Sequence, residues 1–134
     1  MPSSTAATTV APAAGTESAI ADVVAAVGDR MAVIVRVAGE EFGQEGGLTR
    51  EEAADAAVLF EQAGAHAIHV TGWGRNPFSN FTDGPLPDKV GAYVELAAEV
   101  KRAVSVPIIT VGRMLPEVGE AALLAALARR GLTS

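Results

Sequence analysis

The sequence predicts an α/β fold in which three parallel strands alternate with helices. Short Val- and Ile-rich runs are centred near residues 34, 69 and 109, which lie 35 and 40 residues apart. Each is followed by a segment whose apolar residues recur at helical intervals. Such a spacing is what right-handed βαβ units in a parallel sheet produce.

The elements follow in order. Residues 1–16, MPSSTAATTVAPAAGT, combine Pro, Ser and Thr with short Ala steps and have no helical apolar face, so they are expected to form a disordered tail ahead of a folded domain at 17–134. In ESAIADVVAAVGD, residues Ile20, Val23, Val24 and Val27 fall on one helical face and Gly28 ends the run. The first strand is expected at about 31–37, and GEEFGQEGG after it reads as a solvated loop without metal-ligand spacing. LTREEAADAAVLFEQAGA carries a capping box, Thr49 with Glu52 three residues on, and Gly64 as its C-terminal stop. HAIHVTG, residues 66–72, is the second strand. WGRNPFSNFTDGPLPD, rich in Gly and Pro, is then a long loop of the kind that often carries function. KVGAYVELAAEVKRAV is a third helix and VPIITVG a third strand. PEVGEAALLAALARRG is a fourth helix, with Pro116 in its first turn and two arginines near its end.

Composition excludes several functions. Ten Lys and Arg against sixteen Asp and Glu leave a net charge of -6, which argues against binding to nucleic acid or an anionic membrane surface. The absence of cysteine removes disulfides, thiolate catalysis and cysteine-bound metal from this chain. No apolar run approaches the roughly 20 residues of a membrane span. The N-terminal stretch lacks the basic start and apolar core of a secretory signal, so a cytoplasmic location is expected.

Arg36, inside AVIVRVAG, is the residue that most needs explanation. A guanidinium in a strand covered on both faces requires a carboxylate, or an anionic or electron-rich ligand. Ligands of parallel sheets lie beyond the carboxyl ends of the strands. Arg36 at the end of the first strand, TGWG after the second and VGRM after the third would share that face, so Arg36 and Arg113 are expected to converge on one anion. Gly112 would let backbone approach a ligand, and the N–H groups beside it, with the start of the last helix, would hold a phosphate. The structural alternatives are an ion pair of Arg36 with Glu40, Glu41 or another carboxylate, a solvated Arg113 capping its strand, and a Trp73 that only covers the end of the sheet. His66 is expected to be structural, His69 a satisfied core histidine and Tyr93 a packing residue on a helix. GWG lacks the third glycine of a dinucleotide fingerprint, and no nucleophile elbow is present.

VIVRV, GGLTREEAADAAVLFEQAGAHAIHVTGW and LAAEVKRAVSVPIITVGRMLPEVGEAAL, in this order over about residues 18–128, resemble the later part of the barrel of the old yellow enzyme family. These are the NADH:flavin oxidoreductases, and the likeness is strongest to the branch with 2,4-dienoyl-CoA reductase. The resemblance implies a partial (β/α)₈ TIM barrel, about strands five to seven, since a whole barrel takes about 250 residues. It implies FMN as cofactor, NAD(P)H as reductant and a small enone or enoyl substrate. By it, Arg36 faces the N1/O2 edge of the flavin, Gly112 and Arg113 lie near the FMN phosphate, and Gly72 and Trp73 lie on the substrate side. The family's carbonyl-binding pair, proton donor and final strand have no counterpart here, nor do the iron–sulfur cluster and FAD domain of the dienoyl-CoA reductase branch. No catalytic or metal-binding residue is therefore assigned, and the chain is expected to be an incomplete and inactive fragment that self-associates through open sheet edges. The alternatives are a non-catalytic truncated product or assembly module, and a small phosphate-binding α/β domain.

Overall fold

A computed structural model describes residues 15–74 and 90–129. The elements are α1 (Thr16–Val27), β1 (Ile34–Phe42), α2 (Arg50–Gln62), β2 (Ala67–Gly74), α3 (Val94–Ala103), β3 (Ile108–Thr110) and α4 (Pro116–Arg129). The strands form one parallel sheet in the order β1-β2-β3, so the expected alternation of three parallel strands with helices is what the chain adopts. The expected tail lies outside the described residues as far as residue 14. Gly15 and Thr16 already belong to the start of α1.

This strand order decides how the sheet is covered. Right-handed crossovers that advance in one direction place their helices on one face. A doubly wound sheet covers its second face only by reversing the strand order, and there is no reversal here. The core accordingly lies on one side. Ala56, Ala57 and Phe60 of α2 and Leu96, Ala97 and Val100 of α3 close over Ile68 and Val70, which are fully buried, with Ile20 of α1 at the margin. Val35, Val37 and Ile108 flank this core from the neighbouring strands. On the opposite face Ile34, Trp73, Ile109 and Val111 are 40–51% exposed. Among the described residues the sheet is thus covered on one face, where the sequence suggested two, and this one-sided sequential order is that of a barrel sector.

The helix ends follow their local signals. Thr49 Oγ1 accepts from the Glu52 N–H at 3.3 Å, while Glu52 Oε2 accepts from the Thr49 N–H at 2.9 Å, so the capping box of α2 is complete. At its other end Ala65 N–H donates to the Phe60 carbonyl and Gly64 N–H to that of Glu61, both at 3.0 Å, with Gly64 at φ 101°. This is a Schellman closure.

Boundaries differ from the sequence reading in four places. Strand β1 continues to Phe42, through residues that read as loop. Between Ala38 and Glu41 it takes three steps against two on β2, from Thr71 to Trp73, which is a one-residue bulge. Gly39 within it lies so close to α3 that a Cβ would meet Leu96 Cβ at 2.8 Å. Strand β2 runs on to include Trp73 and Gly74; the rest of the expected loop lies outside the described residues. Helix α3 starts at Val94, after a turn containing Gly91 at φ 61°. Strand β3 keeps only Ile108–Thr110, because Gly112 and Arg113 turn the chain through left-handed conformations, φ 105° and 47°.

Candidate functional site on the uncovered sheet face

Alternation along the strands fixes which residues share the uncovered face. Arg36 pairs in register with His69, and His69 with Ile109, so these three form one row across the sheet. Ala38 and Thr71 stand in the next row, and Trp73 lies two residues beyond Thr71 on the same face of β2. Arg36 is the third residue of β1, not its last, so the expectation that it ends the strand is corrected.

Arg36 is exposed and makes no ion pair or hydrogen bond among the described residues. Its candidate carboxylates are engaged elsewhere. Glu40 Oε2 accepts from Arg50 Nε at 2.6 Å, and this bond holds the Arg50 pKa above its ordinary range. Glu41 Oε2 accepts from the Leu48 N–H at 2.9 Å, and Glu41 N–H donates to the Leu48 carbonyl at 2.8 Å. The polar run after Arg36 is therefore held by its own backbone and by α2, which is why it supports strand structure instead of a solvated loop.

The two histidines differ. His66 Nδ1 accepts from the Val33 N–H at 2.9 Å, and the His66 N–H returns a bond to the Val33 carbonyl at 2.9 Å, tying the starts of β1 and β2 together. His69 Nε2 is buried and has no hydrogen-bond partner among the described residues. Among the described residues, therefore, nothing satisfies His69 Nε2 as the sequence reading expected.

The two glycines are organised by Tyr93, which is the N-cap of α3 and 7% exposed. A Cβ at Gly72 would collide with Tyr93 Cε1, and one at Gly112 would lie 2.5 Å from Tyr93 Cδ2. Both glycines thus admit the same ring, from β2 and from the turn after β3. Gly72 faces this ring on the helix side; of the Gly72–Trp73 pair, Trp73 is the one on the uncovered face. Burial pushes the Tyr93 hydroxyl pKa up. The Arg113 carbonyl accepts from the Gly91 N–H at 2.9 Å and the Leu115 N–H at 3.1 Å, which holds the left-handed turn at the start of α4. By register Arg36 stands two strands from Arg113 and level with Ile109, four residues before it. Their backbones are offset by roughly 10 Å across the sheet and up to about 13 Å along it, so they mark two ends of a span and not a single point.

At the other end of the sheet, Glu61 Oε1 accepts from Ser105 Oγ at 2.5 Å, from Ser105 N–H at 2.9 Å and from Val106 N–H at 3.0 Å. Lys101 Nζ donates to the Ser105 and Val106 carbonyls. In barrel folds this end serves stability. Among the described residues there is no cluster of metal-ligating side chains, and no helix is long and apolar enough to cross a membrane.

Sequence reasoning singled out Arg36, Gly72, Trp73, Gly112 and Arg113 as candidates, but it did not anticipate Tyr93 as the clamp between the glycines, nor a His69 nitrogen without a partner among the described residues. The only signal for the latter was a polar residue in an otherwise apolar strand, as with Arg36.

No family model matches the chain. It is similar to a metal reductase of Desulforamulus reducens, 40% identical over 106 residues that make up 78% of this chain and 15% of that protein. It is also similar to an NADH oxidase of Thermoanaerobacter brockii, 37% identical over 87 residues, 65% of this chain and 13% of that protein. The chain therefore matches only about one seventh of the length of either relative, and both relatives are oxidoreductases by name.

Proposed function

We propose that the chain supplies one sector of a flavin-dependent NAD(P)H oxidoreductase barrel of the old yellow enzyme type, with its uncovered sheet face turned toward FMN. The observation that carries this is Arg36, a cation without a partner among the described residues, on the face that a barrel would enclose. A guanidinium there suits the N1/O2 edge of the ring, where negative charge collects on reduction. The turn at Gly112 and Arg113, at the carboxyl end of β3, suits the phosphate, and the offset between Arg36 and Arg113 suits a ligand whose phosphate is remote from its ring. Bound FMN would supply the hydride chemistry, taking a hydride from NAD(P)H and passing it to an enone or enoyl substrate. Trp73, farther along the same face, would border the substrate side. The relatives' names support a redox role, and one supports NADH as reductant. A cytoplasmic setting fits this chemistry.

The test is titration of FMN with the purified chain, followed by fluorescence quenching. Weak binding is expected, weakened further by Arg36→Ala about 10- to 150-fold if one charge-assisted hydrogen bond of about 1.5–3 kcal/mol is lost. Binding that ignores Arg36→Ala and Arg113→Ala alike would overturn the reading. NAD(P)H oxidation with an enone is expected to be absent, because no residue of this chain matches the family's proton donor or carbonyl-binding pair.

A second reading, a non-catalytic module that assembles with other polypeptide, draws on the exposed apolar side chains of the same face and on the edges of β1 and β3, which have no neighbouring strand among the described residues.

A further inference from the structure

We propose that His69 is a second ligand-binding residue of the uncovered face, which together with Arg36 seats the heteroatom edge of a planar, anionic ring. The inference rests on the flavin reading and extends it to a residue outside that reading.

The register makes Arg36 and His69 partners on adjacent strands, with side chains on the same face. Their backbones are about 4.8 Å apart, so a ligand atom near one is within reach of the other. The row continues to Ile109, with Ile34 beside it on β1, so the surroundings favour an aliphatic residue at position 69. A histidine is there instead, and its Nε2 is buried with no partner among the described residues. An unpaired buried nitrogen destabilises the fold it sits in, and such groups are uncommon in native proteins. The same chain satisfies the imidazole of His66 where that ring has a structural task. The contrast marks His69 as a side chain waiting for a partner that the described residues do not provide.

The pair also restricts the chemistry of the ligand. Arg36 can only donate, whereas an imidazole nitrogen can donate or accept according to its tautomer. Side by side they match an edge on which acceptor atoms adjoin a ring N–H, as on the pyrimidine side of an isoalloxazine. Inorganic phosphate, which requires donors alone, would use Arg36 and leave the accepting capacity of His69 without a task.

Two variants of the full chain separate the outcomes. His69→Leu removes the unpaired nitrogen and should leave the melting temperature unchanged or raise it, while FMN affinity falls about tenfold, the equivalent of one hydrogen bond. His69→Gln, which places an amide near the Nε2 position, should restore most of that affinity. Inorganic phosphate should compete at most weakly with FMN, and equally in wild type and His69→Leu. If Arg36→Ala weakens FMN binding but His69→Leu does not, the flavin reading stands and the role of His69 is overturned. A His69→Leu protein that melts lower and is not rescued by glutamine would make His69 structural, which also overturns the proposal. Failure of the wild-type chain to bind FMN would overturn the flavin reading, and the assignment of His69 with it.

Discussion

Arg50 Nε donates to Glu40 Oε2 at 2.6 Å, and by taking up this carboxylate it leaves Arg36, four residues earlier on β1, without an acidic partner among the described residues. The pair ties the start of α2 to the distal half of β1, while Arg36 stays on the uncovered face. Both side chains are partly exposed, so the bond contributes little to stability, about 0–1 kcal/mol. Glu40→Gln should therefore shift the unfolding midpoint only slightly and leave FMN affinity unchanged, whereas Arg36→Ala should do the reverse. Loss of FMN affinity on Glu40→Gln would show that the two arginines compete for one carboxylate.

The contact of Tyr93 with Gly112 predicts a stability effect at a candidate ligand-binding position. An alanine at 112 would bring its Cβ to 2.5 Å from the ring while keeping a left-handed φ of 105°. Strain and overpacking together should destabilise the protein by about 2–4 kcal/mol. Gly46→Ala is the control, since its φ is 71° but nothing lies within 4 Å of the added atom. It should lose about 1 kcal/mol, from backbone conformation alone. Urea unfolding of the two variants measures the difference. Equal losses would mean that the Tyr93 ring yields freely.

Leu96 is 2% exposed and presses on Gly39 of β1 from the helix side. Leu96→Ala should cost about 2–5 kcal/mol. For a domain of this size that is a large share of the stability, so much of the protein should be unfolded at 37 °C. A retained far-ultraviolet melt near the wild-type midpoint would refute the one-sided core.

Glu61 gives a pH dependence with a definite sign. Its carboxylate accepts from the Ser105 hydroxyl, then from the Ser105 and Val106 N–H groups, and Lys101 adds a favourable charge; together these hold its pKa below the ordinary 4.5. A carboxylate with a lowered folded-state pKa contributes stability that is present above its unfolded value and lost as pH falls through the folded one. The stability difference between wild type and Glu61→Gln should thus be constant at neutral pH and shrink below about pH 4.5. A difference independent of pH from 7 to 3 would contradict the link to Glu61 ionisation.

How much of this was legible in the sequence depends on whether a feature is local. The capping box at Thr49 and Glu52 and the stop at Gly64 are written within a few residues, and the structure reproduces them. The three parallel strands follow from apolar runs at βαβ spacing. The extension of β1 through GEEF was hidden, because Glu40 and Glu41 are supported by Arg50 and by the Leu48 backbone, ten and seven residues on across a turn that periodicity does not show. The one-sided cover was hidden too, since strand order is a tertiary property. Arg36 looked like a buried ion needing a carboxylate only while the strand was assumed to be enclosed on both faces. Gly112 looked like a ligand-approach glycine and Gly72 like part of the substrate side, and the ring that both accommodate comes from a third segment.

The uncovered face carries the last prediction, about assembly. Ile34, Trp73, Ile109 and Val111 expose 40–51% of their surfaces on one side of the sheet, and β1 and β3 each present an edge with no neighbouring strand among the described residues. A parallel sheet in this condition is under-buried, and its free edges offer unpaired N–H and carbonyl groups to another chain. The purified chain should therefore self-associate in a concentration-dependent way, with sedimentation velocity showing species above the 13.6 kDa monomer. Ile109→Lys places a charge in the middle of the face without touching the helix-side core, and it should shift the distribution toward monomer while leaving helix content unchanged. If the wild-type chain stays monomeric at high concentration, and Ile109→Lys changes nothing, the face is covered by residues of the chain itself and the barrel-sector reading loses its physical basis.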